Sequence, residues 1–356
     1  MTTQTLVLTR NDVRHFVTLN DCIASIEQAF RLYGEGKTSV PSMMGIHSRD
    51  GGFHVKAGIL PLKRNYFAAK VNANFPHNRK RFALPTIQGV IVLCDADNGR
   101  PLAVLDSMEI TAMRTAAATA VAAKYLARKD SRVVTLCGCG EQGKVQLQAL
   151  AQILKLEQVF VFDIDETRAL EFACEFSAKL GVEVRAIRNL DMAPASDVWV
   201  TCTSSHKPFL KREHIQTGTF IAAVGADNPE KQELEPELMV GAKIVVDILE
   251  QCASIGDLHH ALKAGMVKRS DVHAELGDVV AGRKLGRVSD EETIIFDSTG
   301  MPCKTWQPLH WSSRKRKRRP FSGQWNSPHD HLPLFLEQEM LCICNSQEAT
   351  DLRNEP

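Results

Sequence analysis

The stretch VVTLCGCGEQGKVQLQAL, residues 133–150, places Gly138, Gly140 and Gly143 between an apolar run and a helix-forming one. After a strand and before a helix, the first glycine permits a tight turn. The second lets backbone approach a pyrophosphate, and the third lets the helix pack on the strand. The first helical N–H groups, around Glu141 and Gln142, then face the phosphates. The next apolar run, QVFVFDI, carries Asp163, 20 residues beyond Gly143. A carboxylate there binds the adenosine ribose hydroxyls and repels a 2′-phosphate, so the pattern favours NAD over NADP. Asp165, close by, is expected to face solvent. Farther on, VTCTSS closes a strand in small polar residues. Thr203 and Ser204 stand where such folds pass the nicotinamide side of the cofactor, although an ordinary turn would use the same residues.

Three more charged residues occupy settings that are costly for charge. Lys70 interrupts the apolar run YFAAKV. Buried, its ammonium needs a partner, whereas on an edge strand it would stay in water. Arg114 lies in the alanine-rich stretch 107–128, whose small side chains leave room beside it. A guanidinium there can hold a carboxylate bidentately, or instead join a surface or interface ion pair. Asp227 follows FIAAVGA, at the end of a strand where a cleft opens, and precedes Asn228-Pro229, where it would also suit a helix N-cap.

The elements that must position these residues follow from periodicity. Residues 1–35 read as two helices, with Ile23, Ile26, Ala29, Phe30 and Tyr33 at helical spacing and Gly34 and Gly36 as the stop. Between 40 and 105, FHVKAGIL, YFAAKVNANF and TIQGVIVLCDADNGRPLAVLD predict strands of a mixed or antiparallel sheet, with a hairpin turn at Asp97-Asn98-Gly99. The alanine-rich stretch predicts a long helix. Beyond it RVVTLCG, QVFVFDI, VEVRAI, DVWVTCT, TFIAAVG and KIVVDIL alternate with helix-length segments, the order of a parallel sheet with crossover helices. The expected fold class is α/β. A Rossmann-type doubly wound parallel sheet occupies residues 126–300, after an N-terminal α+β domain over residues 1–125.

Composition narrows the function classes. The chain has 356 residues, a net charge of +1 and 44% hydrophobic residues, so no bulk charge draws it to nucleic acid or a membrane surface. No run approaches the ~20 apolar residues of a membrane span, and the N-terminus reads as neither signal nor transit peptide. Ten cysteines without a CxxC spacing read as reduced thiols, which places the chain in the cytoplasm. His259 and His260 read as helix-packing residues, and no metal site is expected.

Together, AAKVNANFPHN, LPTIQGVIVLCDADNGRPLAVLD, ITAMRTAAATAVAAKYLAR, CGCGEQG, AAVGADNPEKQEL and IIFDSTG resemble the ornithine cyclodeaminase/mu-crystallin family from about residue 10 to 300. The resemblance implies a homodimer, with the N-terminal domain supplying the dimer interface and substrate pocket and the Rossmann domain binding NAD. It implies that Arg114 holds the substrate carboxylate, that Lys70 contacts the carboxylate or the reacting group and is catalytic with Asp227, and that Asp227 exchanges protons with the substrate amine. Within the same motifs Thr86 is assigned to the substrate and Thr115 to the cofactor. One departure stands out: relatives carry a carboxylate-binding arginine shortly after a proline, where this chain reads VPSMMGIH with Met43 and Met44. Lys56, in FHVKAG, is the candidate replacement, a point charge rather than a fork.

Three functions fit these residues. The first is an ornithine-cyclodeaminase-like lyase in which recycled NAD takes and returns one hydride while ammonia leaves. The second is an amino-acid dehydrogenase or cyclic-imine reductase that consumes NAD(H). The third is a crystallin-like binding protein without turnover. Residues 301–356 stand apart, holding three of the four tryptophans and the basic run Arg314–Arg319. Read one base out of frame, Met301-Pro302 and Trp306-Gln307 each force alanine, His310-Trp311 forces leucine, and Trp311-Ser312 gives valine with TCN serine codons. An alanine-rich helix like that of relatives emerges, so this tail is expected to be frame-shifted and disordered rather than a nuclear signal.

Overall fold

The short apolar runs pair into two separate sheets. A computed structural model describes residues 5–38, 42–61 and 64–300. By their contacts these fall into two units, one drawing on residues up to 25 and 42–108, the other on 26–38 and 109–300. Division by role at residue 125 is a different partition and stays a proposal. The expectations for residues 301–356, including the frame shift, lie outside the described residues.

The first unit holds six strands: β1 (Leu6–Leu8), β2 (Ser42–Ser48), β3 (Gly51–Pro61), β4 (Asn65–Asn74), β5 (Ile87–Asp95) and β6 (Pro101–Asp106). Their order is β1-β6-β5-β4-β3-β2. β1 runs parallel to β6, and the other pairs are antiparallel. β1 corrects the reading of residues 1–35 as helices alone: the chain starts as a strand before the helices Arg10–Phe16 and Leu19–Gly34. Thr9 and Asp12 cap the first helix reciprocally, the N–H of each being accepted by the other's side chain. The expected hairpin turn joins β5 to β6, with Gly99 at φ +78°.

Alternation divides the β2–β5 residues between two faces. Met44, Val55, Val71 and Val90 are successive cross-strand partners on one face, and Met44, Ile46, Phe53, Ile59 and Val90 are exposed there. Lys70 lies on the other face beside Ile91, with Ala68, Ala103 and Leu105 buried around that face.

The second unit contains β7 (Val133–Cys137), β8 (Gln158–Phe162), β9 (Glu183–Ala186), β10 (Val198–Thr201), β11 (Phe220–Ala223), β12 (Lys243–Val246), β13 (Val272–Glu275) and β14 (Ile294–Asp297). All pair in parallel, in the order β13-β12-β14-β11-β10-β7-β8-β9. Six match the apolar runs, and β13 and β14 are additional. β10, β11 and β14 are buried along their whole lengths, as a sheet covered on both faces requires. The helix Met108–Leu126 is buried nearly all round, which its alanines make sterically possible. The helix Leu19–Gly34 ends where a Cβ on Gly34 would lie 2.0 Å from Gly277 O, so only glycine fits.

Because β8 and β10 flank β7 on opposite sides, the strand order reverses at β7. In open parallel sheets ligands bind in the crevice beyond the strand ends at such a point.

Candidate nucleotide and active site

The glycine loop leaves β7 at that switch point. Gly138 has φ +108°, and a Cβ there would meet Cys202 O at 2.9 Å. A Cβ on Gly143 would sit 2.0 Å from Gly138 O, so the loop and the helix Glu141–Leu150 touch backbone to backbone. Gly140 differs: it caps that helix and has open space where its side chain would be. Free N–H groups at a helix start beside open space form a cradle for a pyrophosphate, and the residues present fit one. Gln142 Nε2 donates to Ala112 O at 3.4 Å, tying the loop to the alanine-rich helix. Thr115 on that helix donates its hydroxyl to Thr111 O at 3.0 Å and keeps its own oxygen available as an acceptor.

Asp163 ends the next strand, beside the loop. Its Oδ2 accepts from Cys139 N and its Oδ1 from Asp165 N, both at 2.9 Å. Asp165 caps the following helix. Arg168, which sequence reasoning missed, brings its guanidinium within 3.4 Å of Asp163 and 3.2 Å of Asp165. Burial pushes the Cys139 thiol up to about 12 and those of Cys137 and Cys202 well above their usual value, so these loop cysteines are not nucleophiles.

Thr203 and Ser204 follow β10. Thr203 is half-buried, with its hydroxyl accepting from Ser205 N, and Ser204 is exposed. Asp227 follows β11 and is exposed. Asn228, not Asp227, takes the N–H groups of Glu230 and Lys231, at 3.0 and 3.1 Å. Asp227 instead pairs with Lys231, 2.7 Å away, a partner absent from the sequence reading. Arg114 is 6% exposed, which excludes a surface ion pair, and Gly300, at φ +92°, is packed against its guanidinium.

In the first unit, Lys70 is 2% exposed and lies on β4, an interior strand rather than an edge. Its cross-strand partner on β3 is Lys56, which is half-buried. The two lysines are thus in register on one face of the sheet. Thr86 precedes β5 and is half-buried, its carbonyl accepting from Phe75 N at 2.9 Å.

His259 and His260 lie on the helix Asp257–Lys263, and His260 Nε2 donates to Lys231 O at 2.9 Å. Among the described residues, Asp191, Glu213 and His214 cluster closely enough for a metal. His214 Nδ1 accepts from Lys211 N, so Nε2 carries the proton toward Asp191 and is not a free ligand. No described helix is long and apolar enough to cross a membrane.

The model of the ornithine cyclodeaminase/mu-crystallin family matches residues 3–308. Alanine dehydrogenase of Archaeoglobus fulgidus is 39% identical over 298 residues, covering 84% of this chain and 91% of the relative. An archaeal alanine dehydrogenase dimer with bound NAD superposes with a TM-score of 0.81 at 38% identity, covering 85% of this chain and 92% of that one. The Δ1-pyrroline-2-carboxylate reductase of Thermococcus litoralis, solved with NADH and L-proline, gives 0.78 at 32% identity, covering 85% and 94%.

Proposed function

The chain belongs to the ornithine cyclodeaminase/mu-crystallin family, and from that premise we propose that it is an NAD(H)-dependent oxidoreductase acting at the carbon–nitrogen bond of a small amino acid or cyclic imine. When bound, NAD supplies hydride chemistry at the substrate's α-carbon. The chain's residues do the rest. Gly138, Gly140 and the N–H groups from Glu141 and Gln142 hold the pyrophosphate, with Gly143 and Thr115 shaping that wall. Asp163 takes the ribose hydroxyls, and Thr203 and Ser204 border the nicotinamide. On the family resemblance, Arg114 is assigned to the substrate carboxylate, Lys70 to the carboxylate or the reacting group, and Lys56 and Thr86 to the substrate. Asp227 gives and takes a proton at the substrate nitrogen.

One observation carries this reading. The glycine loop, the Thr203 loop and the segment bearing Asp227 leave the adjacent strands β7, β10 and β11 at the same edge of one sheet. This supports a nucleotide and a proton acceptor lying side by side. The similarity to enzymes named for alanine oxidation and imine reduction supports consumption of the cofactor. The family's own name supports the second reading, a cyclodeaminase that recycles it.

Amino acids supplied with substoichiometric NAD+ separate the two. NADH rising with product marks the dehydrogenase, and ammonia exceeding NAD+ without lasting NADH marks the cyclodeaminase. Absence of both, together with no imine reduction, contradicts the enzymatic reading. A homodimer joined through the exposed β2–β5 face is part of the same proposal, since an apolar sheet face of this kind calls for a cover.

A further inference from the structure

Four carboxylates are enclosed in the second unit: Glu233, Asp247, Asp257 and Asp297, none more than 1% exposed. The proposed reaction uses none of them directly, yet each holds backbone N–H groups near the strand ends. Asp247 Oδ2 accepts from the Ser298 hydroxyl and from Gly300 N, both at 2.9 Å, steadying the turn that backs Arg114. Asp297 Oδ2 accepts from Leu258 N at 2.9 Å. Asp257 Oδ1 accepts from Glu233 N and Leu234 N at 2.8 and 2.9 Å.

Glu233 differs from the other three because it joins two loops that carry proposed site residues. Its Oε1 accepts from Thr203 N at 2.6 Å, and its Oε2 accepts from Gly225 N at 2.9 Å. Those donors follow β10 and β11 respectively. The glutamate is itself fixed at its base: its N–H goes to Asp257, and its carbonyl accepts from Phe209 N and Leu210 N at 2.9 and 3.0 Å. A Cβ on Gly225 would lie 2.4 Å from Oε1, so the second loop reaches the carboxylate only as glycine. Enclosing a carboxylate is costly unless charge-assisted hydrogen bonds compensate it, and both oxygens here receive one.

We infer that Glu233 is a positioning residue, a strut that fixes the separation between Thr203 at the nicotinamide side and the segment Gly225–Asp227 bearing the proton acceptor. The inference rests on the roles proposed above for Thr203 and Asp227. A misplacement of about 1 Å between reacting groups can cost on the order of a hundredfold in rate. Glutamine keeps the shape of Glu233 but turns an NH2 toward one of the two N–H donors, setting donor against donor.

The test uses the full chain and the variants Glu233→Gln and Gly225→Ala, the second pressing on the carboxylate from the opposite side. Melting temperature, NADH binding by fluorescence, kcat, KM and amide hydrogen exchange at positions 203 and 225 are measured. The expected result is kcat lowered about ten- to a hundredfold per NADH-binding site, KM changed by less than about threefold, and faster exchange at both amides. Should Glu233→Gln fail to fold, Gly225→Ala carries the test. Unchanged kcat per folded site in an active protein would overturn the strut while leaving the function intact. A wild-type protein that binds NADH but turns over none of the amino acids or imines would instead overturn the function. Unchanged exchange at the two amides would then remove the strut as well.

Discussion

Lys231 holds Asp227 by an ion pair: its Nζ lies 2.7 Å from Asp227 Oδ1 and also reaches Gly225 O at 3.4 Å. The lysine is anchored in turn by His260, which donates to its carbonyl. The proposed proton acceptor is therefore exposed yet confined to one arc of positions.

Asp227→Asn is expected to lower turnover by about 10² or more while leaving NADH binding intact, the usual scale for losing a general acid–base. Lys231→Met should cost less, about tenfold, because it releases Asp227 without removing it. Asp227→Asn should change the melting temperature little, since an ion pair made by an exposed carboxylate contributes about 0–1 kcal/mol. Equal turnover in Asp227→Asn and wild type would remove Asp227 from the chemistry.

Lys70 and Lys56 are cross-strand partners on the β3–β4 pair, and both are proposed above to bind the substrate. Lys70→Met is expected to raise KM for the amino acid at least about tenfold, with NADH affinity unchanged. A selective loss of NADH affinity would assign the lysine to the cofactor instead.

Stability should depend on Asp257. Burial first, and the neighbouring Glu233 carboxylate second, push its carboxyl from 3.8 up to about 7. Asp297 is likewise held well above its usual range by burial and by Asp257. With a raised carboxyl, the native state keeps a proton that the unfolded chain has already released. This contribution is present in acid and is lost as pH rises through about 7. Its share of the melting temperature is expected to fall between about pH 4 and about pH 7 and to level off above that, and Asp257→Asn should flatten that fall. An identical slope in the variant would show that other groups set it.

Asp163 is expected to set nucleotide choice, since its carboxylate opposes a 2′-phosphate while Arg168 lies beside it. Asp163→Ser should weaken NADH and strengthen NADPH, shifting their affinity ratio by about tenfold or more through removal of one negative charge. Fluorescence titration with each nucleotide checks this. An unchanged ratio would mean that another residue discriminates.

The large elements were legible because their patterns are strong. Continuous apolar runs flanked by glycine or Asp-Thr-Ser clusters mark β7, β8, β10 and β11, and the helical spacing of Ile23, Ile26, Ala29 and Phe30 matches four buried side chains. β1 was missed because three residues are too few to show alternation, and pairing with β6 decides their state. β13 was missed because VHAE places His273 and Glu275 in a short strand, away from any apolar run. The buried acids were invisible for a different reason. Glu233, Asp257 and Asp297 carry no local sign of burial, and acids are read as solvent-facing until a fold supplies N–H donors to them. Lys231 and Arg168 likewise gain meaning only once turns bring them to Asp227 and Asp163.

Transfer of label tests the central claim most directly. NADH deuterated at C4 in the transferable position is mixed with the protein and a small cyclic imino acid, and the product is read by mass spectrometry and NMR. The account predicts one deuterium at the α-carbon with wild type, formed at a rate cut at least about a hundredfold in Asp227→Asn. NADH binding without deuterium in any product, across imines and their amino-acid counterparts, would contradict it.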